Sequence, residues 1–139
     1  MPEKKTIAKA KKALREGKSP TTAAGEFVHE EIEHVRQGKH GARSAKQAIA
    51  IGLSKARRAG VPLRPPGPGR AKKATRKSAE RDYEIGQGRR KPRKASAKRR
   101  RAISQALKRE PRGTVSRKAL SWQAKTARPR QRSRNARAR

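Results

Sequence analysis

Large apolar residues are sparse along this chain, and where they gather they fall at helical spacing. Ala24, Phe27, Val28, Ile32 and Val35 recur mostly at three- and four-residue steps, which puts them on one stripe of a helix over Pro20 to Gln37. Ser19-Pro20 supplies a cap followed by a proline at the first helical position, and Gly38 supplies a terminator. A second stripe follows: Ala45, Ala48, Ile49, Gly52, Leu53 and Ala56 share a face of a helix from Ala45 to Ala59, capped by Ser44, ended by Gly60 and blocked by Pro62. Gly52 inside a helix costs on the order of 1 kcal/mol relative to Ala, and its use is close approach to the neighbouring helix. The connection Gly38-Lys39-His40-Gly41-Ala42-Arg43 is short, so the two helices fold back as a hairpin over residues 19–60 with a small shared core.

Upstream, Thr6 to Glu16 reads as an Ala- and Lys-rich helix with only Ile7 and Leu14 as large apolar residues, so it is expected to fray. Downstream, Val61 to Gly69 is rich in Pro and Gly and reads as an extended spacer. Beyond it, Ala71–Tyr83, Ala95–Arg109 and Val115–Ala127 (after a Thr114 cap) can be helical, but they carry few apolar positions: Ile103, Leu107, Val115, Leu120 and Trp122. The expected fold class is therefore mainly α. A helical module (1–62) precedes a Pro/Gly linker (63–70) and a basic low-complexity arm (71–139) that is largely disordered or conditionally helical.

Charge sharpens this division. The chain has 139 residues, with 42 Lys and Arg against 10 Asp and Glu, for a net charge of +32. Residues 1–40 carry nine Lys/Arg and six acids, residues 41–62 five and none, and residues 63–139 twenty-eight and four. Such a charge opposes compaction, and a polyanion relieves it. Nucleic acid, held through its phosphates without regard to sequence, fits better than an anionic membrane or an acidic protein. There is no cysteine, which removes disulfides, thiol nucleophiles and cysteine-based zinc sites. No apolar run is long enough to span a membrane, and Met1 to Thr6 holds no apolar signal core, so a cytoplasmic location is expected.

The expected phosphate contacts are Arg43, Lys46, Lys55, Arg57 and Arg58 in the module. In the arm they are Arg89, Arg90, Lys91, Arg93, Lys94, Lys98, Arg99, Arg100 and Arg101, with Arg128, Arg130, Arg132 and Arg134 in the tail. The arginine fork suits phosphate oxygens. The hairpin could be taken for a helix-turn-helix with Gln47 reading an adenine edge, but its connection is long and one glutamine is weak support. Arg128-Pro129-Arg130 lacks the Arg-Gly-Arg-Pro centre of a minor-groove hook. Single-stranded recognition lacks an aromatic platform, since Phe27, Tyr83 and Trp122 stand alone. DNA is thus favoured over RNA.

No metal site is expected: His29 and His34 lie five residues apart, where a zinc helix needs four. Glu26, Glu30, Glu31 and Glu33 read instead as a solvated acidic face. No nucleophile constellation or phosphate loop is present, because Gly67-Pro68-Gly69 places proline where amide donors are required, so neither catalysis nor a cofactor is expected.

The stretch Lys46-Gln47-Ala48-Ile49-Ala50-Ile51-Gly52-Leu53-Ser54-Lys55-Ala56-Arg57-Arg58-Ala59-Gly60, with Lys39-His40-Gly41 before it, resembles a bacterial family of small Lys/Arg-rich proteins often labelled DNA-binding. The resemblance covers about residues 1–62. It implies a bacterial source and the helical module, and supplies no catalytic residues. The functional expectation is a nucleoid-associated or histone-like DNA-binding protein, possible as a homo-oligomer. The alternatives are an RNA-binding or ribosome-associated structural protein, or an interaction module recruited through the acidic helix at 20–37.

Overall fold

A computed structural model describes residues 2–127, and every element among them is helical. Helices α1 (Lys4–Arg15), α2 (Pro20–Arg36) and α3 (Ala45–Arg58) are followed by α4 (Lys73–Gly86), α5 (Ala97–Arg109) and α6 (Arg117–Ala127), with a 3₁₀ turn at Gly113–Val115. The hairpin forms as its caps dictate. The Ser19 hydroxyl accepts from the Thr22 N–H at 3.3 Å, and the Ser44 hydroxyl accepts from the Gln47 N–H at 3.2 Å. Gly52 does bring the helices together: a Cβ there would sit 2.7 Å from the Val28 Cα.

The core is built largely from alanine. One cluster joins Ala10 and Ala13 of α1 to Ala23, Ala24 and Phe27 of α2, and to Ala56 and Val61. A second joins Val35, Ala42, Ala48 and Val115. Small side chains let helix backbones approach closely, so dispersion contacts accumulate without many large residues. The first helix is accordingly not a frayed appendage, because Thr6, Ala10 and Ala13 are buried against α2.

The expectation of a long, largely disordered arm is corrected. Residues 73–127 form three helices, and two parts of that stretch are seated on the hairpin. Gly86 of α4 lies against the Arg57 carbonyl so closely that any Cβ would overlap it. Val115 is fully buried between α2 and α3. Its carbonyl accepts from Arg36 Nε and Nη2, both at 3.3 Å, while the Thr114 hydroxyl donates to the Ala42 carbonyl at 2.7 Å. Thr114 therefore staples the arm to the connection, and Ser116 caps α6 by accepting from the Ala119 N–H at 3.2 Å. The end of α5 is tied to the same connection, since Gly41 N–H donates to the Leu107 carbonyl and Ala42 N–H to the Pro111 carbonyl. A count of large apolar residues underestimates this docking, because it rests on one valine, two glycines and polar contacts. Helix α5 itself buries no residue.

The acidic face is corrected too. Glu30 and Glu31 are buried, and Glu26 and Glu33 are only partly exposed. Glu31, 1% exposed, accepts from Lys55 Nζ and lies against His40 Nε2, each at 2.6 Å. Glu30 Oε1 accepts from the Glu3 N–H at 2.7 Å. These carboxylates act as internal staples. Taking a charge out of water is costly unless it is paired, and Glu31 is paired on both oxygens.

Candidate nucleic-acid interface

Helices α3, α4 and α5 and the segment between the last two enclose a cleft of about 960 Å³. The end of α3 contributes Arg58, and α4 contributes Arg81 with Ile85. Residues 90–96 contribute Arg90, Lys91, Arg93 and Lys94, and α5 contributes Arg99 and Ile103. Seven cations thus line one concavity, and no carboxylate lines it. Local structure explains how they are presented. The chain leaves α4 at Gly86, turns at residues 87–90, crosses residues 91–96 without regular structure, and re-enters a helix at Ser96, whose hydroxyl accepts from the Arg99 N–H at 3.2 Å.

Two of the seven are oriented from behind. Arg58 Nε donates to Asp82 Oδ1 at 2.7 Å, and Ser54 Oγ donates to Asp82 Oδ2 at 2.6 Å. Arg90 Nε lies 3.5 Å from Glu84 Oε2. Arg81, Lys91, Arg93, Lys94 and Arg99 have no ion pair among the described residues and are all exposed. Like charges gathered on one concavity repel one another, so the cleft favours an anion.

Six of the expected phosphate contacts therefore meet in one place: Arg58, Arg90, Lys91, Arg93, Lys94 and Arg99. Lys98, Arg100 and Arg101 extend from other sides of α5, and Arg89 is exposed at the end of α4. Arg43 and Lys46 are exposed at the start of α3, away from this cleft. Two others are committed internally. Lys55 pairs with Glu31, and Arg57 is buried with its Nε donating to the Leu63 carbonyl at 3.1 Å. Burial holds the Arg57 guanidinium below its usual pKa, opposed by the attraction of Asp82. Arg128, Arg130, Arg132 and Arg134 lie outside the described residues.

Sequence reading missed Arg81. Its signal was available, because Arg81 and Ile85 are four residues apart and so share one face of α4. It also missed a groove of about 700 Å³ beside Trp122, which is 70% exposed, where Arg43, Lys118 and Lys125 surround the indole. Gln47, the one candidate base reader, is used locally: its side-chain oxygen accepts from the Arg43 N–H at 2.6 Å.

No family model, curated protein or solved structure matches this chain. The site must therefore be interpreted from its own chemistry. Among the described residues no helix is long and apolar enough to cross a membrane.

Proposed function

We propose that this protein binds nucleic acid, duplex DNA first, by seating the phosphodiester backbone in the α4–α5 cleft without reading base sequence. The observation that carries this reading is the convergence of seven cations on a concavity whose lining holds no carboxylate. A polyphosphate releases its condensed counterions when such a surface neutralises it, which supplies affinity independent of sequence. Helix α5 adds to the reading. Its 13 residues reach about 20 Å, and none is buried, so its Lys98, Arg100 and Arg101 remain free for neighbouring phosphates. The protein would act as a nucleoid-associated or histone-like component in a bacterial cytoplasm.

The argument against base reading lies in the hairpin. A recognition helix needs an uncommitted face, whereas α3 is buried along Ala45, Ala48, Gly52 and Ala56, and its Lys55 and Arg57 are engaged within the protein. The test is a titration of nucleic-acid-free protein against duplex DNA, single strands and structured RNA at several salt concentrations. Contact with about seven phosphates gives a slope of about −6 in log K against log salt, with little change among duplex sequences. Absence of binding to both duplex DNA and RNA in dilute buffer overturns the proposal, and a clear preference for RNA moves it to RNA.

A further inference from the structure

Away from the basic cleft, the junction of α2 with the 37–44 connection gathers Glu31, His34 and His40. One ligand atom from each lies within 4.8 Å of the others. Glu31 and His34 are three residues apart on α2 and so share a face. His40 returns to that face because Gly38, at φ 78°, turns the chain back after the helix. From the sequence no metal site is expected, since the spacing of His29 and His34 sets that pair aside; His29 is exposed and takes no part in this cluster. All three side chains are largely withdrawn from water, with Glu31 1%, His34 13% and His40 16% exposed.

The hydrogen count at His40 is the second observation. Its Nδ1 lies 2.8 Å from the Gly41 carbonyl, which can only accept. Its Nε2 lies 2.6 Å from Glu31 Oε1. A neutral imidazole carries one hydrogen for these two acceptors. With Nδ1–H donating to the carbonyl, Nε2 presents a lone pair to a carboxylate, and a cation or a second proton must lie between them. An imidazole fixed through Nδ1–H to a backbone carbonyl is also the arrangement that orients a metal-ligating histidine. Glu31 Oε2 is held by Lys55 Nζ at 2.6 Å, which leaves Oε1 as the donor. Beside His34, Glu30 is 5% exposed and its Oε2 has no hydrogen-bond partner, so a buried carboxylate oxygen at the junction is left unsatisfied.

We propose that Glu31, His34 and His40 bind one divalent transition-metal ion of the zinc class. Two imidazole nitrogens and one carboxylate oxygen are a donor set that Zn²⁺ takes, leaving a position for water. The ligand atoms, all within 4.8 Å of one another, need only adjust to the ~3.3 Å separation that zinc–ligand bonds of about 2.0–2.1 Å require, with His40 Nε2 and Glu31 Oε1 moving apart from 2.6 Å. The ion would clamp the connection to α2. That connection receives the end of α5 through Gly41 and Ala42, so the ion would also steady the helix that carries Arg99 and Ile103 to the basic cleft.

The full-length chain, freed of metal and nucleic acid, is titrated with zinc chloride by calorimetry and with Co²⁺ by visible absorption. One equivalent binds, the Co²⁺ bands report nitrogen and oxygen ligands, and the melting temperature rises with free Zn²⁺. His34→Ala and His40→Ala, each checked for helicity by circular dichroism, weaken binding by about 100-fold or more, whereas His29→Ala leaves it unchanged; Glu3→Gln, which alters the carboxylate 3.3 Å from His34 Nε2, weakens it by less than His34→Ala does. Absence of a one-equivalent transition in the parent chain overturns the proposal. So does retention of affinity in His40→Ala, and so does a loss in Glu3→Gln as large as that in His34→Ala, which would place the ion on the other side of His34.

Discussion

If the α4–α5 cleft is where phosphate binds, then removing its free cations must cost more than removing the same charge elsewhere. Arg93, Lys94 and Arg99 suit the test because they line the cleft, are exposed, and make no ion pair among the described residues. Replacing all three by Ala leaves the fold's own contacts in place. Each phosphate neutralised on B-DNA contributes about 0.9 to the salt slope, so the triple variant shifts the slope from about −6.3 to about −3.6. Extrapolated from convergence at 1 M salt, three lost contacts weaken binding at 0.1 M by about 500-fold, or about 3.7 kcal/mol. The assay is fluorescence anisotropy with a short labelled duplex at four or more salt concentrations. The control is the triple replacement of Lys5, Lys9 and Lys11 by Ala, which removes the same charge from exposed positions of α1. Its slope should move by less than one. Should both variants lose the same slope and affinity, the protein responds to total charge alone, and the cleft has no special part.

Three further outcomes test how the arm and the hairpin are joined. Gly86→Ala drives a methyl into the Arg57 carbonyl, where backbone on both sides must shift, and should lower stability by about 2 kcal/mol or more in urea unfolding; an unchanged midpoint would mean α4 is not seated there. Val115→Ala removes two methyls from a fully buried site, costs about 2 kcal/mol, and should raise hydrogen exchange selectively over residues 113–127. Lys55→Met leaves Glu31 with His40 as its remaining side-chain partner, and should destabilise the fold by about 3 kcal/mol while duplex affinity of the folded protein falls less than twofold. A large affinity loss in that folded variant would return Lys55 to the phosphate-binding set.

The hairpin was legible in the sequence because its instructions are local. Ser19-Pro20, Ser44, Gly38 and Gly60 mark the helix ends, and the two stripes name the faces that meet. Gly52 was readable as a close approach because a glycine inside a helix is unfavourable without a use. The docking of the arm was not legible, because Val115, Thr114 and Gly86 act through partners dozens of residues away and carry no periodicity. Nor does a charge count say which charges are already committed. Lys55, Arg57 and Arg58 look alike in the sequence, yet Glu31, the Leu63 carbonyl and Asp82 respectively hold them, and of the three only Arg58 also lines the cleft. The same commitment explains why the cleft is so free of acid. Asp82, behind the cleft, is buried and held by Arg58 and Ser54, so this carboxylate is withdrawn from the surface that an anion meets. The interior uses acid to hold the hairpin and α4 in register. That leaves the cleft face of α4 and α5 lined by cations while Glu80 lines a separate concavity, and the fold itself thereby produces the electrostatic contrast on which the proposed phosphate binding depends.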